Sequence, residues 1–496
     1  MVGLVGICVN AGWVPALKIA SSSSPALSAA DDSDGDGVPN SSDQCPGTAA
    51  AMTVDANGCP IVSSTAPPRP ANTIVVNPGI KYQVMTGWEV AIPTSITDFR
   101  SFSTAQLGAI LDVAVNDLGV TRARVSIDSG AENPIDWGGQ YVDGQITNTV
   151  YRAHSYEIIN DNADPNVINP DGFNFSVLDY QIDRLIVPMR QRAAARGESV
   201  YLNLTYVDFG GSSFEHYNQP EEYAEFMLAV FQHMKSKYRF VPNAIEVMLE
   251  PDEVTGWSGT RLGQAIVATA ARLKANGFVV PDFVAPSTSS AIAAPKYFDE
   301  MIRVPGALAL VKELSYHRYA ADLGSLEAIG ARAVQYGVRT SMLENWSRDN
   351  NYLQLHQDLT VARNSSWQVG VFADAYMSAH ALVHLVNGVA QPSPNAKLLR
   401  QYTKYVRPGA QRIDASPANA TFDPLAFVNV DGRYTVVVKA DRDGSFSVSG
   451  LPAGTYGVSY TTNSRYDVNL ADITIGSGQS LSASVPAAGV VTIYKK

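Results

Sequence analysis

Short apolar runs recur through the middle of the chain, each separated from the next by a stretch of helical period. Val84–Ala91, Val120–Ile127, Val200–Val207, Ala244–Leu249, Phe283–Pro286, Glu313–His317 and Val338–Leu343 read as strands buried on both faces. Between them, Glu221–Lys237, Thr260–Asn276 and Leu326–Tyr336 are amphipathic, and Gly277 and Gly337 follow the latter two as C-caps. An eighth strand is expected near Val386–Gln391, after a helical Val371–Leu385. This rhythm predicts an α/β fold, a (β/α)8 barrel over residues 73–404, rather than an open doubly wound sheet. No Gly-x-Gly-x-x-Gly or phosphate loop argues for a nucleotide. From about Tyr405 the pattern changes to short alternating segments: Leu425–Val430, Tyr434–Lys439, Ser445–Val448, Tyr456–Thr461 and Val490–Tyr494. Asp-Gly, Pro-Ala-Gly and Gly-Ser-Gly turns divide them, which predicts a C-terminal β-sandwich over 405–496. Thr73–Val76 and Lys81–Tyr82 are candidates for the same sheet.

Composition narrows the function. The 496 residues suffice for about three domains, and 46% of them are hydrophobic. A net charge of −11 with only 17% charged residues leaves no basic stripe for phosphates, so a nucleic-acid partner is excluded. Residues 1–30 open apolar and end in small residues, like a secretory signal, although the basic n-region is missing. No other apolar run is long enough to span a membrane, so the expected location is secreted or cell-surface. Cys8 falls in the signal, leaving Cys45 and Cys59 as a pair. An oxidising compartment predicts a disulfide; two reduced thiols are the alternative.

Residues 31–60 are acidic and regularly spaced. Asp32, Asp34 and Asp36 alternate, Gly37 permits a sharp turn, Val38 offers a carbonyl, and Asp43 closes a twelve-residue frame. Hard Ca²⁺ takes several oxygens from one such loop. With Cys45-Pro and Val54-Asp-Ala-Asn-Gly-Cys59-Pro following, the segment resembles a thrombospondin type 3 repeat. The resemblance implies structural Ca²⁺ held by Asp32, Asp34, Asp36, Asn40 and Asp43. Residues 61–72 read as a Pro/Ser linker.

The chemistry centres on two glutamates. Glu250 follows Ala244–Leu249 and precedes Pro251-Asp252; Glu344 follows Val338–Leu343 and precedes Asn345-Trp346. Two carboxylates at C-terminal strand ends of one barrel suit retaining glycoside hydrolysis, in which one protonates the leaving oxygen and the other attacks the sugar carbon. No metal or organic cofactor is expected for catalysis, since His317 lacks companions at ligand spacing.

Four further segments carry a family likeness: Gln83-Val-Met-Thr-Gly-Trp88, Arg122-Ala-Arg124-Val-Ser-Ile-Asp128, Ser315-Tyr-His317-Arg-Tyr319, and Tyr402 to Ile413. With Glu250-Pro251 and Glu344 they resemble the clan A glycoside hydrolases, most closely family 30, over residues 73–496. The resemblance implies Glu250 as acid/base, Glu344 as nucleophile, and a carbohydrate substrate. In the clan the residue before the acid/base is normally asparagine, which bonds the sugar 2-hydroxyl; here it is Leu249. That departure sustains a rival reading, a non-catalytic glycan-binding barrel. Arg124 is expected either to hold Glu344 ionised or to pair with Glu246. His317 and Tyr319 share strand parity and are expected to orient Glu344 or the sugar. Trp88, Trp137, Trp257 and Trp346 lie at or after strand ends, and about half should line a cleft, Trp257 and Trp346 foremost. Asp252 and Glu253 read as solvated loop charges.

Overall fold

A computed structural model of the chain describes residues 32–33, 35, 37–45, 48, 54–59, 72–92, 100–347 and 351–496. The expected signal 1–30 with Cys8, the expected ligands Asp34 and Asp36, and residues 61–71 of the expected linker lie outside the described residues. The chain divides into two compact units, Met1–Arg69 and Pro70–Lys496.

In the larger unit β1 (Thr73–Val84) precedes a closed parallel barrel of β2 (Gly87–Ala91), β3 (Arg122–Asp128), β4 (Tyr201–Val207), β5 (Ala244–Glu246), β6 (Asp282–Ser290), β7 (Val311–Ala320), β8 (Arg339–Glu344) and β9 (Asn364–Val371). The alternation within β3 explains its sequence. Ala123, Val125 and Ile127 join the main hydrophobic core, while Arg122 and Arg124 bond acids inside the barrel. Arg122 reaches Glu89 on β2 at 2.7 Å and Glu313 on β7 at 2.9 Å, all three fully buried. A barrel interior filled by ion pairs has to be satisfied on every side, because an unpaired charge there would be costly. The helices Pro220–Tyr238, Gly259–Ala275 and Leu323–Tyr336 follow the expected periods. The last starts where the Asp322 carboxylate accepts the Ser325 N–H and stops at Gly337, whose φ of 66° favours glycine.

The eighth barrel strand is Asn364–Val371, not the expected Val386–Gln391, and Val371–Leu385 is not helical. Asn364, Ser366 and Gln368 are buried polar residues, so the strand lacks the apolar run that marks its neighbours. The later apolar residues form a hairpin, β10 (Val383–Val386) with β11 (Val389–Pro392). Asn387 and Gly388 turn it with φ of 51° and 80°, the Asn-Gly pair suited to a tight hairpin turn.

The C-terminal region is a ten-stranded sheet folded as a β-sandwich over its own core, which includes Ile74, Val76, Phe422, Val436, Phe446, Tyr456 and Ile493. β1 runs antiparallel to Gln411–Pro417 and parallel to Gly444–Ser449, so the sheet draws strands from both flanks of the barrel. Polar ties bind it to the barrel. The Trp88 indole N–H donates to the Val406 carbonyl at 2.7 Å, and Arg407 pairs with Glu198 at 2.7 Å.

In the smaller unit Cys45 and Cys59 form a disulfide with Cα atoms 5.0 Å apart. The Asp32 carboxylate accepts the N–H groups of Gly35 and Gly37 at 2.8 and 2.9 Å. Asn40 exchanges hydrogen bonds with Ser33, and Asp43 caps the Cys45 N–H at 2.8 Å.

Candidate active site

β5 ends at Glu246, but Val247–Glu250 stay tied to the barrel wall. The Leu249 N–H donates to the Tyr206 carbonyl at 2.9 Å and the Glu250 N–H to the Ser287 carbonyl at 3.0 Å. Glu250 adopts φ 50°, a left-handed conformation rare outside glycine and worth about 1–3 kcal/mol of strain. The two backbone bonds hold it there, with its carboxylate against His317 of β7. Glu344 is the last residue of β8, paired in register with His317. Oxygens of Glu250 and Glu344 and a ring nitrogen of His317 lie within 4.8 Å of one another. Both glutamates line a cavity of about 170 Å³ at the C-terminal end of the barrel, with Thr205, Phe209, Leu249 and Trp346 among its walls.

The two carboxylates are held differently. Glu344 accepts from Arg124 at 2.7 Å and from the Tyr319 hydroxyl at 2.8 Å. Burial pushes its carboxyl pKa up, but the charges of His317 and Arg124 and the hydrogen bonds from Arg124 and Tyr319 outweigh burial and leave it below the ordinary value. Glu250 instead faces His317, with Oε1 2.8 Å from Nδ1. The other ring nitrogen, Nε2, stands 3.4 Å from an Arg124 nitrogen that can only donate.

Arg124 contacts both Glu246 and Glu344. One edge of its guanidinium binds Glu246 at 2.6 Å and another binds Glu344. Glu246 is fully buried and also accepts from Thr205 at 2.7 Å and Asn203 at 3.1 Å. Thr205 and Asn203 share inward parity on β4 with Arg124 on β3, a signal available from strand register but missed by motif reading. Tyr319 touches Glu344 and His317 touches Glu250, so these two side chains brace the carboxylates. Glu250, His317 and Glu344 each offer one ligand atom, all within 4.8 Å of one another, and so could hold a metal ion.

The tryptophans divide differently from expectation. Trp346 lines the cavity, its ring 4.9 Å from that of His380. Trp257 does not: it is 3% exposed and packs edge-on against Tyr206, Tyr217 and Tyr223. Trp88 is fully buried, and Trp137 stacks on His154 at 4.0 Å beside a separate small pocket. Phe209, just beyond β4, is 43% exposed and faces the cavity; no motif marked it. Asp252 is no loose loop charge, since it accepts the Ser289 N–H at 2.7 Å and the Ser289 hydroxyl at 2.8 Å.

No protein-family model matches the chain. Among solved structures, a GH30 endoxylanase from Clostridium papyrosolvens C71 superposes with a TM-score of 0.62 at 18% identity, covering 86% of this chain and 100% of its own. The catalytic domain of GH30 xylanase C from Talaromyces cellulolyticus gives 0.63 at 16% identity, with coverage of 86% and 100%. An endo-β1,6-glucanase gives 0.59 at 15% identity, with 86% and 95%. At these identities the likeness is one of fold: a barrel with a β-sandwich at its side, shared with glycoside hydrolases.

Proposed function

We propose that this chain is a retaining glycoside hydrolase that cleaves β-linked glycans, with Glu344 as nucleophile and Glu250 as acid/base. The observation that carries the reading is the carboxylate pair itself. Its oxygens approach within 4.8 Å, nearer the separation of about 5–5.5 Å used by retaining enzymes than the about 6.5–9.5 Å that admits a water in inverting ones. Their partners also suit opposite roles. Glu344, held ionised by Arg124 and Tyr319, attacks the anomeric carbon. Glu250 delivers a proton to the departing oxygen, then removes one from the water that resolves the glycosyl-enzyme. Trp346 and Phe209 offer rings for sugar faces.

The fold shared with xylanases and a glucanase supports a polysaccharide substrate. Secretion through residues 1–30 and Ca²⁺ binding by residues 31–60 belong to the same proposal, supported by the Cys45–Cys59 disulfide. Among the described residues no helix is long and apolar enough to cross a membrane. Leu249, whose side chain lines the cavity beside Glu250, favours the rival glycan-binding barrel. A panel of β-linked glycans separates the two. Hydrolysis by the wild type, abolished in Glu344→Ala, supports the enzyme; binding without turnover by the wild type supports the rival.

A further inference from the structure

His317 has no companion at ligand spacing in the sequence, but the closed barrel supplies two. β7 carries His317, Glu344 ends β8, and Glu250 follows β5. One ligand atom from each lies within 4.8 Å of the others, the one such trio among the described residues. The two carboxylates reach the cavity, with the Glu250 and Glu344 side chains 14% and 13% exposed, whereas His317 is fully buried. An ion entering from the cavity meets the carboxylates first.

Charge favours a cation there. Arg124 bonds both Glu246 and Glu344, and Glu250 adds a third carboxylate. Three carboxylates against one guanidinium leave a negative balance even when His317 is charged. The donor set then selects the ion. Hard Ca²⁺ and Mg²⁺ take oxygen ligands and gain little from an imidazole. Zn²⁺ accepts His nitrogen and carboxylate oxygen together, with three protein ligands and a fourth position open to water. At Zn–N and Zn–O of about 2.0–2.2 Å, tetrahedral ligand atoms sit roughly 3.3–3.5 Å apart. His317 Nδ1 and Glu250 Oε1 are 2.8 Å apart, so a small parting of these two atoms admits the ion. Coordination through Nδ1 leaves the ring proton on Nε2, which gives up its 3.4 Å contact with Arg124. That arginine nitrogen keeps its 2.6 Å bond to Glu246.

We propose that Glu250, His317 and Glu344 form a Zn²⁺ site, and that the ion and a glycan exclude each other. The exclusion rests on the roles proposed above for the two glutamates; binding of the ion does not. An ion held by both carboxylates ties up the oxygen with which Glu344 attacks and the oxygen from which Glu250 delivers its proton. It also fills the space between them that the anomeric carbon takes. Zn²⁺ at this site is therefore an inhibitor competitive with substrate.

The test is a calorimetric titration of the chelator-treated full chain with Zn²⁺, first without substrate and then alongside kinetics. Wild type should bind one equivalent more than Glu250→Gln, Glu344→Gln or His317→Phe, because an amide or a phenyl ring replaces one ligand. Glu157→Gln, which alters the acid beside the partly exposed His154, should keep that equivalent. Titration with Mg²⁺ should show no difference between wild type and the three site variants. Equal Zn²⁺ binding by wild type and both glutamine variants overturns the site, whatever the protein does to glycans. Should His317→Phe fail to accumulate, the two glutamine variants, whose side chains reach the cavity, decide. When wild type hydrolyses an aryl β-glycoside, Zn²⁺ at its calorimetric Kd should raise the apparent KM about two-fold and leave kcat unchanged. Turnover that Zn²⁺ leaves unaltered or accelerates overturns the exclusion. A wild type that binds Zn²⁺ but cleaves no glycan keeps the site and removes the hydrolase reading, and a bound glycan should then still weaken Zn²⁺ binding.

Discussion

Arg124 binds two glutamates whose needs differ: Glu246 is sealed in the barrel, while Glu344 opens on the cavity. Arg124→Met should therefore do two things. Stability should fall by about 3–5 kcal/mol in chemical denaturation, because a buried carboxylate loses its counter-charge. Any turnover should fall by orders of magnitude, because Glu344 loses a charge that keeps it ionised. Tyr319→Phe is the milder probe. The Tyr319 hydroxyl is one of the groups that lower the Glu344 pKa. Its loss should move the acidic limb of the kcat/KM pH profile to higher pH, while the melting temperature stays within a few degrees. Asp128 gives a pH prediction of opposite sign. Burial pushes its carboxyl up to about 7 from an ordinary 3.8, against the hydrogen bond from Tyr151. Between those values the native chain binds a proton that the unfolded chain does not. Stability should then decline as pH rises from about 4 to about 7 and level off above. Asp128→Asn should flatten that part of the curve and melt above wild type at pH 8. A wild-type profile that climbs steadily through the window, unaltered in the variant, would contradict this.

At the level of elements, what the sequence revealed followed burial. Ala123, Val125 and Ile127, or Leu202 and Leu204, mark strands because their outward faces meet the helices. Asn364-Ser-Ser-Trp-Gln does not, because its inward residues are polar and buried, and hydrophobicity alone cannot distinguish such a strand from a loop. The two glutamates were legible from their place after strands. Phe209 and the Asn203–Thr205 brace were not, since they emerge only when neighbouring strands are set in register. Trp257 was misjudged because a tryptophan near a strand end can face the cleft or the core, and three tyrosines in other segments decided it. β1 matters most for assembly, because it sits between strands that follow the barrel in sequence. Truncation near Tyr405 would strip β1 of both partners and uncover apolar surface on the barrel, including the Trp88–Val406 seam. The shortened chain should be insoluble or melt far lower; a soluble product with an unchanged melting temperature would contradict this.

For the molecule as a whole, Pro70–Lys496 is one compact unit despite holding two cores, so barrel and β-sandwich should unfold in a single transition by calorimetry. The disulfide-bonded module is a separate unit, and Asp43→Asn should leave that transition in place. The central claim concerns the pair of glutamates, and the stereochemistry of azide rescue tests it most directly. With an activated aryl β-glycoside, Glu344→Gly should be nearly inert until azide enters the vacated space, and NMR should then show a glycosyl azide of inverted configuration. Glu250→Ala should still form the glycosyl-enzyme from so good a leaving group and, with azide, give a product of retained configuration. Wild-type hydrolysis that neither substitution slows by more than a few-fold would contradict the assignment.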